Sequence, residues 1–326
     1  MKAAWYERNG AAKDVLVVGD LPDPLPATGE VRVRVHASGV NPSDVKSRAG
    51  RPLAAPKITP HSDGAGIIDQ VGTGVSEKRL GERVWLWNGQ WNRPFGTAAE
   101  FIALPERQAV PLPDNVSFEE GACLGIPALT ALRAATTDGA ILGKTVLIAG
   151  GAGAVGAYAI QVARLLGAAT IIATVSSPEK GAIAQGLGAD HFVDYRAEDV
   201  AERVREITGG RGVDRIIEVD AAANVGLVPR LLAREGLCVI YGSGKPDIAF
   251  PFAPMILIGA AVRFFIVYEL APEARVQTQD ALSSYLRSGL LTHAVAQTFS
   301  LDEIVSAHEA VEGGRIIGNV VLGPIA

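Results

Sequence analysis

The sequence predicts an α/β protein of two domains: a doubly wound parallel sheet, and a β-rich domain that the chain begins and later returns to complete. Three observations carry this. Between residues 125 and 265, short apolar runs alternate with amphipathic stretches, as parallel strands do when helices cover both faces. Residues 1–124 hold strand and turn signals without that alternation. A loop of nearly bare backbone, "LIAGGAGAVG" at 147–156, joins an apolar strand directly to a helix. The expected boundaries are 1–124 with 266–326 for the β-rich domain and 125–265 for the parallel-sheet domain.

In chain order, "EVRVRVHASGV" alternates apolar and polar residues, the mark of a half-buried strand. "DGAGIIDQVG", "GERVWLW" and "TAAEFIALP" read the same way, and the Pro-rich "LPDPLPATGE" and "VPLPDNVS" are surface connections. A compact, partly barrel-like β domain is expected here. Ser117 and Glu120 form a capping box opening a helix through "SFEEGACLGIPALTALRAATT". Strict alternation follows: strands "TVLIAG", "TIIATVSS", "HFVDY", "VDRIIEVD" and "GLCVIYG", separated by helices that include "AVGAYAIQVARLLG" and "ANVGLVPRLLA". "MILIGAAVRFFIVYEL" is interrupted by Arg263 and reads as two buried segments. The last part, "PEARVQTQDALSSYLRSG", "VAQTFS", "LDEIVSAHEAVEGG" and "NVVLG", reads helix, strand, helix, strand.

Composition narrows the function. The chain has 326 residues, 48% hydrophobic and 20% charged, enough for a large core without staples. A net charge of −5 and a pI near 5.6 argue against nucleic acid or an anionic membrane as the main partner. The start "MKAAWYERNG" lacks the apolar region of a signal peptide, and no apolar run approaches the roughly 18 residues of a membrane span. Cys123 and Cys238 are too few for a disulfide framework and read as buried small hydrophobes, which fits a cytoplasmic location.

The bare loop gives Gly151-x-Gly153-x-x-Gly156 between a strand and a helix. In that frame the three glycines permit, in order, the tight turn, the close approach of a pyrophosphate, and close helix–strand packing. The helix N-terminus then offers N–H groups and a positive dipole end to the phosphates. An NAD site wants an acid at the end of the next strand. Here Val175, Ser176 and Ser177 stand there, Glu179 comes too late, and Lys180, Tyr195 and Arg196 lie nearby. Hydroxyls and a cation suit a 2′-phosphate, so NADP(H) is favoured; the other reading of Lys180, on spacing alone, is a solvated helix lysine.

Several stretches together, "VHASGVNPSD", "HSDGAGII", "GTAAEFIALP", "GIPALTALRA", "GGAGAVG" and "DYRAEDV", resemble the zeta-crystallin-like quinone oxidoreductases, a zinc-free branch of the medium-chain dehydrogenase/reductase superfamily. The resemblance spans nearly the whole chain with its motifs in order. It implies a GroES-like substrate domain, a Rossmann domain, NADPH, and a homodimer or homotetramer. Zinc relatives carry a Cys ligand where this chain has Asn41 and a His-Glu pair where it has Ser62-Asp63, and no cysteine lies between Trp85 and Leu104. No metal is expected, and His61 and Cys123 read as structural.

By the same resemblance, Asn41 and Thr130 would hydrogen-bond the nicotinamide end, although Asn41 before Pro42 is equally natural as a turn residue. Ala152, Gly153, Ala154 and Val155 would line the pyrophosphate, and Ser176, Lys180 and Tyr195 the 2′-phosphate. Asn224, Tyr241, Gly242 and Ser243 would flank the ribose and nicotinamide. The backbone of Phe264, Phe265 and Ile266 would meet the carboxamide, with Asn319 a further contact; without the resemblance these aromatics read as core. Two departures stand out: Lys46 replaces a tyrosine that commonly faces the nicotinamide, and Pro52 replaces a second. Trp87, Asn88, Gln90 and Trp91 in "WLWNGQWNRPFG" are offered as replacement pocket walls; the other reading is a surface loop with packed tryptophans.

The expected reaction is direct hydride transfer to a quinone or an α,β-unsaturated carbonyl, with Asn41, Lys46 and Thr130 as the catalytic set and Lys46 as donor to the developing oxyanion. The alternatives are an enoyl reductase of the 2-alkenal or 2-enoate type, zinc alcohol dehydrogenase, and a single-stranded nucleic-acid-binding or crystallin-like structural protein that retains NADPH binding. The acidic balance argues against nucleic acid.

Overall fold

The N-terminal hairpin pairs β1 (Lys2–Trp5) with β2 (Val17–Asp20) across a short turn of helix, α1 (Ala12–Val15). The alternation read in "EVRVRVHASGV" becomes β3 (Glu30–Val40), with Val31, Val33 and Val35 fully buried. After it come α2 (Pro42–Gly50), β4 (Asp63–Val71), β5 (Arg83–Leu86), β6 (Phe101–Pro105) and β7 (Ala109–Pro111). The structure is a computed structural model and describes residues 1–325.

Strand β3 organises the first unit. One edge pairs with β4 along most of its length. On the other edge its first half pairs with β6, and its second half with β15 (Asn319–Leu322) from the chain's end. The seven-stranded sheet runs β14 (Val295–Phe299)–β15–β3–β4–β5–β7, with β6 branching from β3. Ile68, Val84, Leu86, Ile102 and Leu104 close over the three valines. Each such aliphatic stabilises the fold by about 1.5–3 kcal/mol.

The junction keeps its capping box: Ser117 accepts from the Glu120 N–H, and the Glu120 carboxylate accepts from the Ser117 N–H. The single helix expected here is divided into α3 (Phe118–Gly121), a π-helical turn at 124–128 and α4 (Leu129–Thr136). Pro127 has no N–H for an α-helical bond, which accounts for the break.

The second unit holds β8 (Thr145–Ile148), α5 (Ala154–Leu165), β9 (Thr170–Val175), α6 (Pro178–Gly186), β10 (His191–Asp194), α7 (Val200–Ile207), β11 (Val213–Glu218), α8 (Ala221–Asn224), α9 (Val228–Leu231), β12 (Leu232–Ile240), α10 (Phe252–Leu257) and β13 (Ala261–Phe264). Its six strands are parallel in the order β10-β9-β8-β11-β12-β13. That is a doubly wound sheet whose topological switch lies between β8 and β11, where such sheets bind ligands. "ANVGLVPRLLA" forms two short turns rather than one helix, divided around Gly226, with Pro229 in the first turn of α9.

The expected two buried segments in "MILIGAAVRFFIVYEL" are corrected: they are α10 and the edge strand β13, and Ile256, Leu257 and Phe264 are exposed. The compact units are 1–127 with 283–326, and 128–282. The return was expected at 266; it falls at 283, inside α11 (Pro272–Arg287), because residues up to 282 pack with the parallel-sheet unit. Helix α12 (Ile304–Glu312) then packs on α2 and β15 in the first unit.

Candidate functional site

The glycine loop is built as the sequence suggests, with one correction. The left-handed residue of the strand-to-helix turn is Gly150, at φ 68°, and not Gly151. Gly151 is required for space: an added Cβ would lie 2.6 Å from the Ala173 Cβ of β9. The Gly150 N–H donates to Thr174 Oγ1 at 3.2 Å and the Gly151 N–H to the Thr174 carbonyl at 2.9 Å. At Gly156 an added Cβ would stand 2.2 Å from the Gly150 carbonyl oxygen, so helix and strand meet here at backbone distance.

Gly153 is the N-cap of α5 and supplies no capping side chain. The N–H groups of the first helical turn at 154–156 have no partner within a helix. Gly153 is exposed and Ala154 and Val155 half-buried, whereas Gly151, Ala152 and Gly156 are buried. The Gly153 N–H donates to the Gly150 carbonyl at 2.9 Å, so a dinucleotide fits this geometry through the bare N–H groups of Ala154 and Val155, over the exposed Cα of Gly153. Ala152 could take part only through its backbone.

Beside this loop at the switch point lies a cavity of about 500 Å³, walled by Gly150, Thr174, Tyr195, Glu218, Asp220 and Asn224 among others. Ser176 and Tyr195 follow directly on β9 and β10, whose last residues Val175 and Asp194 are register partners. Lys180 lies in the first turn of α6; of the three, Tyr195 lines the cavity. Ser177 is committed to the fold as the N-cap of α6, accepting from the Lys180 N–H. Glu179 sits in that first turn, and its carboxyl is held below the usual range by hydrogen bonding to Ser177.

Two residues in this cavity escaped the sequence reading. Glu218 ends β11 nearly buried, accepting from the Asp220 N–H at 2.6 Å and from Asn224 Nδ2 at 3.0 Å, and burial raises its carboxyl. One hydrogen of the Asn224 amide is therefore committed to Glu218. Thr174 is the other, tethering the glycine loop. The signal for Glu218 was an acid directly after the apolar pair Ile216-Ile217 at the end of a strand, "RIIE".

Tyr241, Gly242 and Ser243 follow β12, and all three are half-buried. Gly242 passes the Val219 carbonyl so closely that a Cβ would lie 2.2 Å from it. Burial drives the Tyr241 hydroxyl far above its ordinary pKa. Phe265 is half-buried with its ring 6.4 Å from that of Tyr241, while Phe264 and Ile266 are exposed. Thr130 is buried on α4.

In the first unit, Asn41 is the N-cap of α2, 5% exposed, with Pro42 at the first helical position. Its Nδ2 donates to Asp63 Oδ2 at 2.9 Å, and its backbone N–H donates to Asp44 Oδ2 at 2.8 Å. Lys46 lies further along α2 and is exposed. Asn319 is buried at the start of β15, and its Nδ2 donates to the Ala294 carbonyl at 3.2 Å, so part of its amide serves the sheet.

The tryptophan loop divides. Trp87 is buried with its indole N–H donating to the Arg107 carbonyl, and Asn88 is buried in a left-handed conformation. Gln90 and Trp91 do line a cavity of about 80 Å³, with Tyr6, Ser47, Arg51 and Pro52.

His61 and Cys123 are both buried. Cys123 donates its thiol to the Glu119 carbonyl, and burial raises that thiol. His61 Nε2 lies 2.9 Å from His308 Nε2. Among the described residues, no group of three or more His, Cys, Asp or Glu side chains is arranged to hold a metal ion.

A six-stranded doubly wound sheet with a bare phosphate loop, joined in one chain to a β-rich unit, defines a dinucleotide-dependent oxidoreductase of the GroES-like/Rossmann type. Comparison with known proteins agrees. Residues 27–114 match the family model described as the alcohol dehydrogenase GroES-like domain, and 154–284 the model described as zinc-binding dehydrogenase. Quinone oxidoreductase from Sus scrofa is 30% identical, over 97% of this chain and 95% of that protein. A 2-haloacrylate reductase from Burkholderia sp. is 31% identical, over 92% of each. The crystal structure of Escherichia coli quinone oxidoreductase complexed with NADPH has a TM-score of 0.89 at 27% identity, covering 99% of this chain and 100% of that one. A crystal structure described as an NAD-dependent alcohol dehydrogenase has a TM-score of 0.90 at 31% identity, covering 99% of each chain. The chain belongs to the quinone oxidoreductase family. Among the described residues, no helix is long and apolar enough to cross a membrane.

Proposed function

We propose that this chain is a metal-independent, NADPH-dependent reductase of quinones and related conjugated carbonyls. The observation that supports this choice of cofactor is the end of β9: Ser176 follows the strand where an NAD site wants a carboxylate, with Tyr195 directly after the neighbouring β10 and Lys180 in the first turn of α6. This favours the phosphorylated cofactor despite the likeness to an NAD-dependent dehydrogenase structure. Bound NADPH would supply a hydride. The chain's part is to hold the phosphates over Gly153 on the N–H groups of Ala154 and Val155, and to meet the 2′-phosphate with Ser176, Lys180 and Tyr195. The ribose and nicotinamide would be flanked by Asn224 and Tyr241–Ser243, with the carboxamide met by the backbone of Phe264–Ile266. Asn41 and Thr130 would supply hydrogen bonds at the nicotinamide end, with Asn319 a further contact. Lys46 would place a cation near the developing oxyanion. Asn41 and Ser62, poor zinc ligands at positions where zinc relatives carry theirs, support the metal-free reading.

A second reading, reduction of an α,β-unsaturated acid, is favoured by the likeness to 2-haloacrylate reductase and by Lys46, whose charge suits a carboxylate. A homodimer or homotetramer in the cytoplasm completes the proposal. The exposed apolar residues beside the open edge of β13 support self-association; the two buried free thiols, Cys123 and Cys238, suit a reducing compartment.

The deciding experiment is an NADPH-oxidation screen over quinones, enones and enoyl acids, with and without chelator. Quinone turnover that survives the chelator is the expected result; turnover abolished by chelator and restored by zinc would sink the metal-free reading. Within that screen, Lys46→Met should lower kcat/KM, most for the acids. Unchanged values for both quinones and acids would remove Lys46 from the mechanism.

A further inference from the structure

The proposed function gives Asn41 a contact at the nicotinamide end, and Asn41 is itself held in place by a buried acid. Asp63, first residue of β4, is fully buried. Its Oδ2 accepts two N–H groups, from Asn41 Nδ2 at 2.9 Å and from the Ile126 backbone at 3.0 Å. Its Oδ1 has no hydrogen-bond partner and lies against Gly125, where an added Cβ would stand 2.4 Å away. A buried carboxyl is costly, and it persists where its hydrogen bonds are needed.

We infer that Asp63 is a positioning residue that fixes the side-chain amide of Asn41, and that a buried relay from His308 to Thr97 fixes Asp63 in turn. The inference rests on the reading of Asn41 as a cofactor-facing residue.

The orientation of the Asn41 amide follows from donors and acceptors. The Ile126 N–H can only donate, so Asp63 Oδ2 is an acceptor toward it, and any proton on the carboxyl sits on Oδ1. The second lone pair of Oδ2 then takes an N–H of Asn41, which assigns Nδ2 rather than Oδ1 to that side. The capping box with Asp44 holds the backbone end of Asn41. One Nδ2 hydrogen is consumed by Asp63, and the other remains. Asn41 thus carries a donor for a carbonyl or oxyanion.

The relay has a single polarity. The Thr97 hydroxyl donates to the Asp63 carbonyl. Its proton is spent there, so in the 2.7 Å contact between Ser38 Oγ and Thr97 Oγ1 the serine donates. Ser38 therefore accepts from His61 Nδ1, 2.9 Å away, which makes Nδ1 the protonated nitrogen of His61. The neutral His61 Nε2 is then the acceptor, and His308 Nε2–H is the donor across 2.9 Å. His308 Nδ1, which has no partner, is left as a lone pair, the cheaper group to leave unmatched than an N–H. The relay runs from α12 to the backbone of the residue that holds Asn41.

The test is a double-mutant cycle on the full-length protein, with NADPH and the best acceptor from the screen. Asp63→Ala should lower kcat by about tenfold or more with little change in the NADPH KM, and Asp63→Asn, which keeps an oxygen for the two N–H groups, should recover activity to within about threefold of wild type. In an Asn41→Ala background, Asp63→Ala should have no further effect on kcat, because the residue it acts through is gone. Equal losses in both backgrounds, or an Asp63→Asn variant as impaired as Asp63→Ala, would overturn the inference. If Asp63→Ala does not fold, Thr97→Val in the same two backgrounds replaces it, with the same expected pattern. If Asn41→Ala alone changes neither kcat nor KM, the assignment of Asn41 fails and the inference falls with it; an effect of Asn41→Ala with an additive cycle overturns the positioning role alone.

Discussion

A carbon added to Gly156 would lie 2.2 Å from the carbonyl oxygen of Gly150, whereas one added to Gly153 would lie 3.2 Å from the same oxygen. The two glycines therefore fail differently when substituted. Gly156→Ala must push helix α5 off strand β8 and should lower Tm by several degrees along with cofactor binding. Gly153→Ala should leave Tm within about 2 °C, yet raise the NADPH Kd by roughly tenfold, because its methyl occupies the exposed approach to the first helical turn. Thermal unfolding and NADPH fluorescence titration on both variants decide this; a Gly153→Ala protein with wild-type affinity would move the phosphates elsewhere.

Lys180 gives the cofactor choice its direct test. Lys180→Ala should raise the NADPH KM by about five- to tenfold and leave the NADH KM nearly unchanged, the loss of one charge-assisted contact to a phosphate. Equal losses with both cofactors would remove Lys180 from the 2′-phosphate site.

The histidine pair sets an acid limit on stability. Burial holds His308 down to about 3 and drops His61 well below its ordinary 6.5. Both stay neutral in the fold, and both gain protons in the unfolded chain below pH 6.5. Their contribution is complete above that pH and is lost as pH falls toward 3, by up to about 1.4 kcal/mol per pH unit for each histidine. His308→Leu should make the urea midpoint fall less steeply between pH 6.5 and 5. A slope equal to wild type would show that His308 takes up no proton on unfolding.

Asp44 acts in the opposite sense. Burial pushes its carboxyl from 3.8 up to about 7. Between those values the folded chain binds the extra proton, so this group's contribution falls as pH rises, by an upper bound of about 4 kcal/mol once above 7. Asp44→Asn, which cannot ionise, should gain stability relative to wild type on going from pH 5 to pH 8. A constant difference across that range would mean that Asp44 is ionised throughout.

The apolar surface beside β13 predicts self-association. Ile256 and Leu257 are 61% and 72% exposed on α10, next to the strand's open edge. Ile256→Asp with Leu257→Asp should shift the sedimenting species to monomer while leaving the circular dichroism unchanged. A wild-type protein that is already monomeric at micromolar concentration would dispose of the proposed oligomer.

Local chemistry was legible in the sequence. The alternating valines of β3, the Ser117–Glu120 box and the bare loop before α5 each follow from neighbours in the chain, and each stands where it was read. The misses share a cause. Hydropathy gives "MILIGAAVRFFIVYEL" its apolar character but not its surroundings, so an unpartnered edge looks the same as a core. Gly150 carries the left-handed turn although the motif begins at Gly151, since the pattern does not say which member of the doublet reverses the chain. Glu218 and Asp63 gain their meaning from partners such as Asn224 and Ile126, which only the folded chain supplies.

The contact between His61 and His308 joins residues 247 positions apart, and β15 meets β3 across a similar interval. On a ribosome, the N-terminal unit would emerge early with half of one β3 edge unpaired, and the whole of 128–282 would follow before the strand that closes it exists. Until then this edge is open to other chains, as unpaired strand edges are. The late strand thus acts as a clasp, and a chain cut short before β15 would leave that half of the β3 edge unpaired.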